Sequence, residues 1–220
     1  METLASKKVS IVSPPIMEPK ERILHKAHEL FNRYGIRSVS MDDIAAQMGM
    51  SKKTVYQYFA DKEELVNAVF SAIMDDNKCK CVDERDNSDN ALHELFQAYD
   101  RMQEMFSTMH PSVLFDMEKY HPQTFAKFKA FKNDFLYGII KTNIERGIAE
   151  GLYREDIDVD ILSRYRLHSI MLAFNPEVFP NNRTQLLQIE MQLLEHFVYG
   201  LATTKGDKLI EKYKKQRTKK

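Results

Sequence analysis

Three short blocks of helical periodicity crowd into residues 23–59, each opened or closed by a residue suited to a helix end. They constrain the fold more than any other feature of the chain. Ile23, Ala27, Leu30, Phe31 and Tyr34 fall at i, i+4, i+7, i+8 and i+11, one face of a helix. Gly35 follows, the residue that best tolerates the left-handed conformation closing a helix. Ser40 precedes a second run, Met41, Ile44, Ala45 and Met48. Serine is a good N-cap, and Asp42 and Asp43 suit the positive end of the helix dipole. Gly49 breaks this run, and Ser51 caps a third, very short helix through Tyr58. Asp61 caps a fourth, with Glu63 and Glu64 in its first turn and Leu65, Val66, Val69, Phe70 and Ile73 on its apolar face.

The remainder also reads as helix. Residues 1–18, with Pro14 and Pro15, have no period and are expected to be a mobile arm. Asn77 to Asn90 is polar and acidic without a period, a loop or a frayed helix end. Leu92, Leu95, Phe96, Tyr99, Met102, Phe106 and Met109 mark a fifth helix, ending before Pro111. A short helix over about Ser112 to Lys119 is stopped by His121-Pro122, and a long one is expected from about Gln123 to Glu150. Asp156 to Phe174 and Thr184 to Thr203 complete the series. No strand pair is credible, and only 7 Gly and 7 Pro in 220 residues argue against a turn-rich β protein. The fold class is therefore all-α. The expected division is an arm (1–18), a helix-turn-helix domain (19–66), a larger helical domain (67–204) and a basic C-terminal tail that frays from a helix (205–220).

The 32 basic and 32 acidic residues cancel, but unevenly. Residues 1–66 carry 10 basic against 9 acidic, residues 67–204 carry 14 against 21, and residues 205–220 carry 8 against 2. Contact with nucleic acid must therefore rest on a local motif rather than on overall charge. No apolar run approaches the ~18 residues of a membrane span, and the N-terminus lacks the apolar core of a signal peptide. Cys79 and Cys81, one residue apart, make neither a disulfide framework nor a metal site. They are expected to be exposed, inert thiols in a reducing cytosol, so the chain is expected to be cytoplasmic, with no membrane partner.

The second and third helices, joined at Gly49, form a helix-turn-helix pattern, whose second helix enters the DNA major groove. Ile44, Ala45, Met48, Val55 and Phe59 supply a small core with the first helix. Lys52, Lys53, Thr54 and Gln57 are left outward. Lysine donates to guanine O6/N7 and glutamine pairs with adenine. Tyr56 and Tyr58 offer hydroxyls and Lys62 a charge where phosphates would lie. Ser40 and Ser51, at the starts of the two helices, complete the candidate DNA-facing set.

The segment YGIRSVSMDDIAAQMGMSKKTVYQYFADKEELV resembles the DNA-binding domain of the tetracycline-repressor (TetR) family of bacterial regulators. Ala27, Leu30, Phe31, Gly35, Ile44-Ala45, Gly49, Ser51, Thr54-Val55-Tyr56, Tyr58-Phe59, Lys62 and Leu65 carry the resemblance. It covers residues 22–66. The family often has a small residue where Lys53 stands and an aromatic or other residue where Gln57 stands, departures that bear on which operator is read. The resemblance implies a homodimer, a palindromic operator and a ligand pocket in the C-terminal helices.

Tyr99, Met102, Met105, Phe106, Met109, Phe128, Phe131 and Phe135 fit two structures: a plain helical core, or an adaptable apolar cavity that methionine suits by filling irregular space. Arg101 is a candidate for an acidic ligand head, with solvated or interface roles as the alternative for it and for Arg164, Arg166 and His168. Leu186, Leu187, Ile189, Met191, Leu193, Leu194, Phe197, Val198 and Leu201 cover more than one stripe. A helix buried on two sides points to a second copy of the chain, through it and Asp156–Phe174. No cofactor and no metal are expected, since His110 and His121 lack a ligand-spaced partner. The reading is a DNA-binding regulator, a repressor released from a palindromic operator by an unidentified small apolar or aromatic ligand. Two alternatives stand beside it: an all-α enzyme, without a nucleophile–base pair or phosphate loop to support it, and a protein-binding adaptor with a degenerate helix-turn-helix.

Overall fold

Short, well-capped helices form the N-terminal part of the molecule in the computed structural model, which describes residues 17–175, 177–180 and 182–217. The expected arm lies almost wholly outside the described residues. Helix α1 (Pro19–Tyr34) begins on a proline, whose missing N–H costs nothing in the first turn, and ends at Gly35 with φ 82°. Helix α2 (Met41–Gln47) opens with a reciprocal cap. The Ser40 hydroxyl accepts from the Asp43 amide at 3.1 Å, and the Asp43 carboxylate accepts from the Ser40 amide at 2.9 Å. The chain turns at Gly49, φ 62°, into α3 (Lys52–Tyr58), where Ser51 accepts from the Thr54 amide at 3.1 Å. Asp61 caps α4 (Lys62–Asp86) through the Glu64 amide at 2.8 Å.

Helix α4 runs 25 residues, about 37 Å at 1.5 Å per residue. It passes straight through the 66/67 boundary and through most of the stretch expected as a loop. Pairs on its surface (Lys78–Asp75 at 3.0 Å, Lys80–Asp76 at 2.9 Å) and a guanidinium clamp from Arg101 to Glu84 hold this polar half. Its tertiary partners supply what hydrophobic period does not.

Then follow α5 (Ala91–Thr108), α6 (Ser112–Tyr120) and α7 (Pro122–Ala130). A π-helical turn (Phe131–Leu136) joins α7 to α8 (Tyr137–Ala149), so the long expected helix is continuous but changes register midway. Helices α9 (Val159–Leu172), α10 (Asn182–Leu201) and α11 (Thr204–Arg217) complete the described chain. The expected basic tail is thus helical through Arg217. It buries Ile210 and returns to α5, where the Arg217 guanidinium lies over the Tyr99 ring at 3.9 Å and pairs with Asp100. Stacking on an aromatic face orders a terminus that charge alone would leave solvated. Among the described residues the fold is all-helical, apart from one isolated bridge between Tyr153 and Ala202. No described helix is long and apolar enough to cross a membrane.

The first core cluster joins Ile23, Ala27, Leu30 and Phe31 of α1 to Ile44, Val55, Phe59, Leu65 and Val66, and also to Val113 and Met117 of α6. The helix-turn-helix therefore shares its core with the body. Tyr34, on the expected apolar face of α1, is instead exposed, with Arg33 at 5.2 Å from its ring. A second cluster gathers Leu92, Ile144, Tyr153, Phe197, Leu201 and Ile210. Gly147 lets the Tyr153 ring lie on α8: a Cβ there would sit 2.0 Å from the ring.

Candidate functional site

The first candidate surface is α3. Val55 and Phe59 are buried at 0% and 1%, which fixes the rotation of this seven-residue helix. Lys52, Lys53, Tyr56 and Gln57 are exposed. Their i, i+1, i+4, i+5 spacing places all four on the face opposite the core. Lys53 has no hydrogen bond or ion pair within the described residues, whereas Lys52 pairs with Asp42 of α2. Ser40 and Ser51 hold helix ends, and Thr54 shares a 2.7 Å bond with Ser51. Seven-residue helices this exposed depend on such caps, each worth about 1 kcal/mol.

Two members of the expected set face elsewhere. Tyr58 is half-buried against the first core cluster. The Lys62 ammonium donates to the Ile36 carbonyl at 2.7 Å and more weakly to that of Arg37 at 3.4 Å. Its half-buried position depresses its pKa, with Asp116 and Asp43 opposing that shift. Lys62 ties α4 to the turn after α1, a link between distant segments that spacing does not reveal.

Asp116 of α6, 5% exposed, completes this junction. Its Oδ2 accepts from the Arg37 amide at 3.1 Å and from the Ser112 hydroxyl at 3.1 Å. At the α6–α7 turn, His121 bonds Glu63 at 2.5 Å. Helix α6 thus grips both the α1–α2 turn and the start of α4.

The second candidate site is a cavity of about 550 Å³ bounded by α1, α4, α5, α6, the α7–π segment and α9. Met102, Met105, Phe106 and Met109 line it from α5, Phe128 and Phe131 from the α7–π segment, and Ile170, Met171 and Phe174 from α9 and its end. The Met/Phe cluster thus borders a cavity, and Met102, Met105 and Met109 also pack against the cluster that holds the buried Phe106. Tyr99 and Phe135 do not line it. Tyr99 is held under Arg217 on another face of α5. Phe135 lies in the π turn, and there Phe131 and Leu136, five residues apart, line the cavity wall while Phe135 does not. Phe135 stacks on Phe131 instead, ring centres 5.5 Å apart.

Arg101 reaches the lining, but four of the five N–H donors of its guanidinium are already engaged and its charge is paired with Glu84. It donates to both oxygens of Glu84 at 2.7 and 3.1 Å, to Asn77 Oδ1 at 2.7 Å and to Cys81 Sγ at 3.1 Å. Cys81 is therefore buried rather than exposed, its pKa raised by that burial, while Cys79 is exposed as expected. Arg166 is likewise buried, facing Glu190 at 3.6 Å. Burial outweighs their attraction, lowering the arginine's pKa and raising the glutamate's to about 7.

Leu24, His25, His28 and Asn32 of α1 also line the cavity. The residue pattern assigns α1 only to the helix-turn-helix core, because its second contact face is polar. No group of three or more His, Cys, Asp or Glu among the described residues has the placement to hold a metal.

An exposed, polar helix on a capped helix-turn-helix, set on a helical body with an apolar cavity, defines a DNA-binding regulator. Residues 23–69 match the family described as bacterial regulatory proteins, tetR family. An uncharacterized HTH-type transcriptional regulator of Bacillus subtilis, YvaF, is 30% identical over 158 residues, 71% of this chain and 82% of that protein. The HTH-type transcriptional repressor KstR2 of Mycobacterium tuberculosis is 24% identical over 157 residues, 70% of this chain and 78% of its own. The solved structure of that ketosteroid transcriptional regulator shares the fold at TM-score 0.59 and 20% identity, covering 86% of this chain and 97% of its own. A TetR regulator from Legionella pneumophila does so at TM-score 0.69 and 18% identity, over 86% and 100% of the two chains. The chain belongs to the tetR family and is a helix-turn-helix transcriptional regulator.

Proposed function

We propose that the chain is a homodimeric repressor, released from a palindromic operator when a small apolar molecule fills the cavity. The observation that carries this reading is the cavity's position. It touches α1, the first helix of the DNA-reading unit, and α6, whose Asp116 holds the Arg37 amide. A ligand that favours one spacing of these helices shifts the orientation of α3 by its differential affinity for the two states, and by no more than that. The lining includes six methionines, whose flexible side chains adapt to an irregular apolar guest, and five phenylalanines.

Dimerisation is supported by α9. Ile161, Tyr165 and Leu172 stand 62%, 45% and 38% exposed at i, i+4 and i+11, an apolar stripe left open among the described residues of one chain. Met191 of α10 is exposed as well. A two-fold pairing through these helices is self-complementary and sets two copies of α3 about 34–36 Å apart, one turn of DNA, or a multiple of that. The repressor sign is supported by the similarity to a protein described as a repressor.

The reading is tested by retarding DNA from upstream of the chain's own gene, with and without hydrophobic compounds, alongside melting temperature. A compound that raises the melting temperature and releases DNA supports it. A protein monomeric at tens of micromolar, or one whose DNA affinity no stabilising compound changes, contradicts it.

A further inference from the structure

We propose that the effector is an uncharged apolar molecule carrying one hydrogen-bond-accepting oxygen, such as a ketone, and that His28 of α1 donates to that oxygen. This rests on the small-molecule reading above and narrows it. Two observations lead to it.

The first is that the cavity has no unpaired lysine or arginine among its described residues. Its lysine and arginine, Lys80 and Arg101, are each paired with a carboxylate, Asp76 at 2.9 Å and Glu84 at 2.7 Å. Glu104, exposed on α5, adds a further negative charge. An acid entering here would lose hydration without gaining a counter-ion, a cost that apolar contact does not recover. The acidic head expected for Arg101 is therefore replaced by a neutral one.

The second is the state of His28. The Asn32 amide nitrogen lies 2.8 Å from His28 Nε2. A donor there makes Nε2 the acceptor and leaves the ring proton on Nδ1. Asn77 is occupied by Arg101 and by the Ile73 carbonyl, and Thr108 by the Met105 carbonyl. The His28 Nδ1–H has no partner within the described residues, so it is a donor that an oxygen in the cavity can use; His25, which also lines the cavity, is exposed, whereas His28 is half-buried. Burial, with His25 adding to it, lowers the pKa of His28, which keeps the ring neutral near pH 7. Because Ile23, Ala27, Leu30 and Phe31 on the same helix are core residues of the reading unit, a bond at His28 acts on that unit directly.

The test is displacement of Nile red, an uncharged apolar dye, by 2-dodecanone, dodecane and dodecanoate at pH 7.5. In the parent the ketone should bind about two- to tenfold tighter than the alkane, the span of one net hydrogen bond, and the carboxylate should bind more weakly than the ketone. His28→Leu should bring the ketone to the level of dodecane while leaving dodecane itself unchanged or tighter. His28→Gln, which keeps a donor, should recover part of the preference and checks that loss is not misfolding. A ketone preference that survives in His28→Leu, or dodecanoate as the tightest binder in the parent, overturns the assignment. Failure of the dye and of dodecane to bind at all instead overturns the cavity reading on which it stands.

Discussion

Replacing Asp116 by alanine is the sharpest structural perturbation of the junction between α6 and the reading unit. The carboxylate is 5% exposed and accepts two hydrogen bonds at 3.1 Å. Ser112 keeps an alternative, since its hydroxyl also lies 2.9 Å from His110 Nδ1. The Arg37 amide keeps none among the described residues. Losing one bond to a charged acceptor, and leaving a part-buried N–H unpaired, costs about 1.5–3 kcal/mol. In a chain of this size each kcal/mol lowers the melting temperature by about 2–4 °C. Asp116→Asn should fall between parent and alanine, because it keeps an acceptor oxygen without the charge. Calorimetry measures the loss, and retardation with the upstream DNA measures its transmission. The variant should bind DNA more weakly and respond less to a stabilising ligand. Parental melting together with a parental ligand response would refute the idea that α6 holds the reading unit through this contact.

Other outcomes follow from particular contacts. Gly147→Ala should destabilise by several kcal/mol, since a Cβ would sit 2.0 Å from the Tyr153 ring, which is fully buried; chemical denaturation measures it. Ser40→Ala should cost about 1 kcal/mol by removing the hydroxyl half of the α2 cap, read in the same assay. Glu190, raised to about 7 by burial, holds a proton in the folded chain that the unfolded chain has released. Its contribution is therefore fully present below pH about 4.5 and is lost as pH rises through about 7. Glu190→Gln should flatten that decline in melting temperature across the same range, and an unchanged slope would count against the assignment.

The reading unit was legible because its signals are local. Ser40, Ser51 and Asp61 each cap within three residues, and Gly35 and Gly49 take the positive φ that their turns need. The buried Val55 and Phe59 follow from spacing alone, and they leave Lys53, Tyr56 and Gln57 outward. What was not legible depends on long-range partners. Lys62 turns to carbonyls 25 and 26 residues away, and Arg101 is consumed by Glu84 on a neighbouring helix. Helix α4 extends over a polar stretch that lacks a period because its support comes from α5. The π turn breaks the one assumption that periodicity makes, a constant number of residues per turn, so the pattern does not reveal that Leu136, and not Phe135, lines the cavity beside Phe131. His25, His28 and Asn32 carry no pattern of their own in the sequence, and their place at the cavity shows only once the body helices are set against α1.

The central claim, sequence-specific reading of DNA by α3, is tested most directly by one titration. Fluorescence anisotropy at fixed salt compares the chain's upstream DNA with a shuffled duplex of equal length, for the parent and for a Lys53→Ala, Gln57→Ala double variant. The parent should prefer its own DNA by about a thousandfold or more. The variant should lose about 1–3 kcal/mol of that preference for each base contact removed, while its affinity for the shuffled duplex changes far less. Equal preference in parent and variant, or none in the parent, would contradict the assignment of α3 as the reading helix.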